Sequence, residues 1–296
     1  MVSKKVRTFA TETQKGKHPE GRQRGVSNIM KVKDILGALE EFAPLALQDG
    51  YDNAGLQIGL AEDAEATGAL LCLDVTEEVV DEAVSKGCNL IVSHHPLLFR
   101  ALKSVTADDY VGRTVMKAVK SGVAVYASHT NLDSAMDGVN WKMAEKLGLK
   151  GLEWLSPKGE YKRRGEMMTA GEGLVGLLPK AMERKLFFEH VKEAFGLKSL
   201  RVNDAEKEVV EKVALCGGAG AFLIPKAVAK GADAFLTGEI GYHRFFGFEK
   251  DIILMEMGHY ESERYTIEVL RDIVKDADPA LPVFDTEQKI NPINYL

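Results

Sequence analysis

The sequence predicts an α/β protein of two related lobes, an internal duplication with mainly parallel sheets. Three observations carry that reading. Short, nearly all-apolar runs alternate with amphipathic segments from Val32 onward, the pattern of parallel strands covered on both faces by crossover helices. The alternation lapses near residue 150 and resumes near residue 211. The second series also echoes the first: AVSKGCNLIVSHH from Ala83 overlays AVAKGADAFLTGE from Ala227, and VAVYASHT overlays ILMEMGHY, with His129 against His259. Two matches in the same order point to duplication more strongly than either alone.

Residues 1–29 hold seven Lys/Arg against two Asp/Glu and show no sustained apolar period, so they read as a disordered basic tail outside the fold. An N-terminal lobe is expected over 30–150. It opens with VKDILGALEEFAP, apolar at helical spacing and closed by Pro44, followed by the turn-rich YDNAGLQIG. Strands GALLCLDV, CNLIVS and VAVYAS then alternate with helices TEEVVDEAVSKG, DDYVGRTVMKAVKSG and GVNWKMAEKLG. Residues 151–210 read as a connecting α+β segment completing the second lobe, with a strand in RGEMMTAGEGLVGLL and a helix in ERKLFFEHVKEAFG. The C-terminal half, 211–296, supplies strands KVALCGG, ADAFLTG and IILMEM and a long closing helix, ESERYTIEVLRDIVKDA.

Composition excludes several classes. With 45% hydrophobic and 28% charged residues in 296, the chain has the make-up of a globular protein. No apolar run approaches the roughly 18 residues that cross a bilayer, and no apolar leader follows the basic start, so a cytoplasmic location is expected and no membrane partner. The net charge of -6 divides into +5 for the tail and -11 for the rest, which makes nucleic acid an unsuitable partner for the body. Cys72, Cys88 and Cys216 have no CxxC spacing and lie in or beside apolar runs, so they read as buried thiols.

Ligands of open α/β sheets bind beyond the carboxyl ends of the strands. His94, His95, His129 and His259 directly follow predicted strands, His243 follows TGEIGY, and Asp133, Glu239 and Glu263 accompany them. Four residues apart on a helix, His259 and Glu263 share a face and can converge on one cation. Adjacent His94 and His95 diverge, which suits two neighbouring ions. Imidazole with carboxylate suits Zn, Fe, Mn or Co. A lone histidine after a strand is more often structural, and Asp133 also suits a turn. Convergence from both halves favours a metal site. His18 and His190 receive no role. Gly171, Gly173 and Gly176 spell GxGxxG, but Pro179 and the apolar run before it suggest a strand and turn. Walker, HExxH and GxSxG signatures are absent, and Ser93 beside His94 would point to the opposite face of its strand.

YDNAGLQIG, VSHHPLLF, ASHTNLDSAMDGVN, KVALCGGAG, TGEIGYHRFF and GHYESERYTIEVL, in this order, resemble the NIF-three-like family, also known as GTP cyclohydrolase I type 2 homologues. The resemblance covers residues 30–296. It implies a metal centre between the lobes, two divalent metal ions per chain, and a toroidal homohexamer. By motif it places the ligands at His94, His95, Asp133, His259 and Glu263, with Glu263 bridging. Some relatives carry an inserted domain between the halves, of which this sequence shows no sign, and Glu239 stands where relatives often have Asp. The implied activity is metal-dependent hydrolysis of a small molecule, a nucleotide or other heterocycle. Glu239, His243, His129 and Tyr260 are the candidates for proton transfer or orientation, and Arg113, Arg244 and Arg264 for holding phosphate. A metal-binding regulatory or scaffold protein without turnover is the alternative. Metal loss is expected below about pH 6, where free imidazole protonates.

Overall fold

The computed structural model describes residues 30–61 and 63–296; the tail expected over residues 1–29 lies outside the described residues. Helix α1 (Val32–Phe42) forms where Val32, Ile35 and Leu39 recur at helical spacing and turn one buried face inward. Then come β1 (Gly55–Ile58), β2 (Ala69–Cys72), α2 (Glu77–Ser85), β3 (Leu90–Ser93), α3 (Tyr110–Ser121), β4 (Ala124–Ala127), a short α4 (Thr130–Ser134) and α5 (Val139–Leu147). The caps are those the sequence supplies: Thr76 accepts from the Val79 amide to start α2, and Asp109 from the Gly112 amide to start α3.

These four strands and β11 (Val283–Asp285), from near the end of the chain, make a five-stranded sheet in the order β1-β4-β3-β2-β11. Its central strands β2, β3 and β4 run parallel, and every residue in them is buried, as a sheet covered on both faces requires. The second sheet starts from a long hairpin, β5 (Lys150–Arg163) with β6 (Glu166–Glu183). It is followed by α6 (Arg184–Phe195), β7 (Arg201–Val202), β8 (Val209–Cys216), α7 (Ile224–Ala229), β9 (Ala234–Thr237), β10 (Ile253–Glu256), α8 (His259–Glu263), α9 (Thr266–Ala277) and β11 (Val283–Asp285). The order in this sheet is β5-β6-β8-β9-β10-β7.

The expectation of mainly parallel sheets holds for the first sheet and is corrected for the second. There only β8, β9 and β10 are parallel, while the hairpin and β7 pair antiparallel. A hairpin connection reverses direction by construction, whereas parallel neighbours need a crossover helix. Each sheet thus contains one parallel trio. The ladders pair Leu90 with Ala124 and Ala234 with Ile253, so the AVSKG overlay is in register while the VAVYASHT overlay is one residue out. By ladder position His129 corresponds to Gly258, one residue before His259.

The stretches expected as separate lobes exchange elements. From the last part of the chain, Leu270 and Val274 of α9 join Ile35, Leu39 and Leu71 in the first core, and β11 pairs parallel with β2. In the other direction α5 packs Met143 and Leu147 against Phe187, Leu215 and Leu236 of the second core. The hairpin reaches across as well, burying Tyr161 and Ala170 in the first core. All three cysteines are buried free thiols. No helix among the described residues is long and apolar enough to cross a membrane.

Candidate metal centre

The carboxyl ends of the two parallel trios face a common point. Leaving β3, the chain turns at Ser93, whose buried hydroxyl donates to the His95 carbonyl (2.8 Å) and so fixes the two histidines that follow. Held that way, Ser93 belongs to the turn and not to a nucleophile pair. His94 is fully buried and its Nδ1 lies 2.8 Å from the Ser128 carbonyl. A carbonyl only accepts, so Nδ1 carries the hydrogen and Nε2 turns inward with a free lone pair.

The same division recurs around the cluster. His95 Nδ1 meets Asp74 Oδ1 at 2.8 Å, His259 Nδ1 meets Glu239 Oε1 at 2.8 Å, and His129 Nδ1 meets Asp52 Oδ1 at 2.7 Å. With its outer nitrogen held, each ring can offer only the other to a shared partner.

Glu263 sits where the inner nitrogens converge. Its Oε1 is 3.6 Å from His94 Nε2, and its Oε2 is 3.0 Å from both His95 Nε2 and His259 Nε2. The latter two nitrogens face each other at 3.3 Å. Asp133 approaches from α4, with Oδ1 3.7 Å from His94 Nε2. Donor atoms of His94, Asp133 and Glu263, of His95, His259 and Glu263, and of His94, His95 and His129 form three groups, each within 4.8 Å.

Burial alone would raise the Glu263 carboxyl. The positive field of the His94 ring and hydrogen bonds from His259 and His95 outweigh it and hold the group well below the usual carboxylate range. Burial works the other way on imidazoles, yet hydrogen bonds to Asp74 and Glu263 push His95 up to about 10, and the bond to Glu263 takes His259 up to about 9. Burial, reinforced by the Glu263 charge, lifts Asp133 in spite of His94. Asp52 goes the other way: hydrogen bonds from His129 and Thr130 overcome burial and bring it down to about 2.

Of the seven buried side-chain polar atoms without a hydrogen-bond partner among the described residues, two, His94 Nε2 and Asp133 Oδ1, face each other in this cluster. Such an atom costs about 1–3 kcal/mol unless something satisfies it. A cation would: donors about 2.1 Å from one tetrahedral ion stand about 3.4 Å apart, and the separations here run from 3.0 to 3.7 Å. The donor set therefore fits divalent ions, with Glu263 offering one oxygen to each of two groups. The site leaves no room for a side chain beside that carboxylate, since a Cβ on Gly218 (φ +58°) would collide with Glu263 Oε1. Cys216 is nearby, but burial drives its thiol well above the ordinary value, so it does not compete as a thiolate.

A family model described as Duf34/NIF3 (NGG1p interacting factor 3) matches residues 30–292. The chain belongs to this family. Proteins named GTP cyclohydrolase 1 type 2 homolog are similar along nearly their whole length. That of Clostridium acetobutylicum is 32% identical over 271 residues, covering 90% of this chain and 99% of the relative. That of Clostridium perfringens is 35% identical over 270 residues, covering 90% and 100%. Among solved structures, a Bacillus cereus protein related to NIF3 superposes with a TM-score of 0.81 at 26% identity, covering 91% of this chain and all of that one. Reduced HcgD from Methanocaldococcus jannaschii reaches 0.71 at 26% identity, covering 88% and 98%.

All five residues that the NIF3 resemblance named as ligands, His94, His95, Asp133, His259 and Glu263, stand together. Of the proton-transfer candidates, His129 joins the cluster and Glu239 holds His259 from outside. His243 is exposed on a turn against Tyr242 and belongs to none of the three donor groups, and Tyr260 does not line the adjoining cavity. His190, given no role, bonds the Leu147 carbonyl.

That cavity, of about 240 Å³, has His129, Asp133, His259 and Glu263 on its floor and the partly exposed rings of Tyr51, Phe99 and Phe222 at its rim. Its one lysine or arginine among the described residues is Lys158, 2.6 Å from Asp49 and 3.2 Å from Glu172. A hollow of about 440 Å³ elsewhere, over Phe42 and Trp141, is remote from this chemistry.

The arginines expected near the motifs point elsewhere. Arg113 pairs with Glu77, Arg264 donates to the Phe195 carbonyl and Tyr265, and Arg244 donates to the Ala221 carbonyl. Sequence reasoning missed Asp52, Asp74 and Lys158. Asp74 lies two residues past the end of β2, the strand beside β3, so the strand-end rule that found the histidines reaches it too. Asp52 lies within YDNAGLQIG.

Proposed function

We propose that the chain binds two divalent cations through His94, His95, Asp133, His259 and Glu263 and hydrolyses a small, weakly charged molecule that enters over Tyr51, Phe99 and Phe222. The observation that carries this reading is the split use of Glu263, one oxygen toward His94 and the other toward His95 and His259, next to a cavity that reaches the same carboxylate. When bound, a pair of divalent cations supplies Lewis acidity and lowers the pKa of water to near neutrality. The chain does the rest. Asp74, Glu239 and the Ser128 carbonyl hold three rings in orientation, and Asp52 keeps a proton on His129 Nδ1, leaving Nε2 to face a cation or exchange a proton at the cavity floor.

Cavity chemistry narrows the substrate. No arginine among the described residues lines it, and its single ammonium is already neutralised by two carboxylates. Planar rings stack well on exposed aromatic faces, and about 240 Å³ is below the roughly 300–1,000 Å³ of pockets for drug-sized ligands. A compact ring compound suits the space better than the triphosphate in the relatives' name. The homohexamer implied by the sequence resemblance is part of this proposal and is checked by light scattering on the purified chain.

The test is metal content per chain by elemental analysis of wild type and Glu263→Gln, with a panel of hydrolase substrates run on the same samples. Two ions in wild type, loss of both in the variant and parallel loss of a turnover support the reading. Two ions without turnover on any substrate point to a metal-binding scaffold, and a wild-type chain that takes up no metal removes the site altogether.

A further inference from the structure

The stretch after β11 stays on the molecule and ends against the helix that carries two of the candidate ligands. Its near end is tied to β2 of the first sheet, where the Thr286 amide donates to the Leu71 carbonyl (2.9 Å), and to helix α2 beside it. The Thr286 hydroxyl donates to Glu82 Oε2 (2.6 Å), the Glu287 amide to Glu82 Oε1 (2.9 Å), and Lys86 reaches both Glu82 and Glu287 at 2.8 Å. Ile290 then packs on the core formed by β2, β3 and α2. Beyond it the chain meets α8. Asn291 Nδ2 donates to Glu261 Oε1 (3.0 Å) and the Tyr295 hydroxyl to Glu261 Oε2 (3.4 Å). Both oxygens of one carboxylate on α8 are therefore held by a strap whose other end is fastened to the opposite sheet.

Glu261 lies two residues from both His259 and Glu263, a spacing that puts it on the other side of the helix from them. The strap grips α8 from behind while the cluster faces forward. A helix of five residues has too few internal hydrogen bonds to fix its own orientation. Ser262 steadies one side, accepting from the Gly218 amide and donating to the His259 carbonyl. Glu261 is the steadying group on the strap side. Packing there is close: at Gly258 (φ +99°), which launches α8, a Cβ would run into both the Glu261 carboxylate and the Tyr295 hydroxyl.

We infer that Glu261, Asn291 and Tyr295 are positioning residues for the metal centre, a strap that fixes α8 so that His259 and Glu263 meet the ligands from the first sheet. The inference rests on the metal-binding reading above. Outer groups that orient ligands change metal affinity by about 10–100-fold when removed, and the strap acts in that way on two ligands together.

The experiment uses the full chain stripped of metal and titrated with Co(II), whose visible absorption reports the ligand field. Tyr295→Phe, Asn291→Ala, their double variant and Glu261→Ala are compared with wild type, with Glu261→Gln as the conservative variant that keeps an acceptor oxygen. Expected are a fall in Co(II) affinity of about tenfold or more in the double variant and in Glu261→Ala, a changed absorption band, partial rescue in Glu261→Gln, and an unmoved melting midpoint of the metal-free chain. Wild-type affinity and spectrum in every variant overturn the inference. So does a loss of affinity matched by an equal loss of metal-free stability, which is what a purely structural strap gives. If wild type itself takes up no Co(II), the metal reading fails before the strap is at issue.

Discussion

Each clustered histidine is committed through Nδ1 before any ion arrives, and that commitment has measurable consequences. Asp74 holds His95 and is itself about half exposed, so replacing it disturbs little packing. Asp74→Asn keeps an acceptor and removes the charge that makes His95 a better donor. Metal affinity is expected to fall by about tenfold, with the melting midpoint of the metal-free chain almost unchanged, in a chelator competition assay. An unaltered affinity would show that ring orientation is set by packing alone.

Protons compete for the same nitrogens. Folding raises His95 to about 10 and His259 to about 9 in the metal-free chain. Imidazoles shifted upward contribute stability that is fully present below their unfolded value of about 6.5 and is lost as pH rises through the folded values. A bound cation replaces those protons, so metal binding tightens over the same window. The gap in melting midpoint between Zn-loaded and metal-free chain should therefore widen from about pH 6.5 to about pH 10; a constant gap counts against proton displacement. The histidines of the candidate centre were legible because histidines at strand ends are few. Asp52 and Asp74 were harder to single out, since carboxylates are abundant on any acidic surface.

Among the elements, the parallel trios were readable because buried strands are continuously apolar, and the hairpin was not. Only part of β6 showed as a strand, and β5 showed nothing. β5 is an edge strand with register shifts around Leu152 and Lys158, so no alternation of period two survives along it. The second shift is functional in effect. Lys158 is the unpaired residue between Pro157 and Gly159, and the irregularity turns its ammonium onto Asp49, Glu172 and Ser134 at the cavity wall. Lys158→Met would leave two carboxylates facing one another across that wall. A loss of about 1 kcal/mol, in keeping with a partly exposed ion pair, is expected in urea unfolding. It should shrink when Glu172→Gln is added, because the remaining repulsion is relieved. An additive double variant would mean that Lys158 and Glu172 act independently.

For the whole molecule, the exchange of elements between the sheets matters more than the repeat. The sequence pattern divides the chain where its alternation pauses, but packing is decided by which apolar face finds cover, and that is a long-range outcome. Helix α9 covers the first sheet although it follows the strands of the second, and α5 does the reverse. The candidate centre draws His94, His95 and Asp133 from one side of this exchange and His259 and Glu263 from the other. Ions bound there would cross-link parts of the chain already interleaved by packing, and a ligand that binds only the folded state stabilises it by about 2.7 kcal/mol at a hundredfold excess over Kd. Metal removal is therefore expected to lower the melting midpoint in one cooperative transition, and amide exchange to quicken together at the ends of β3 and β10. Faster exchange in only one sheet, with the other unchanged, would mean that the ions sit within one half and that packing alone joins the two.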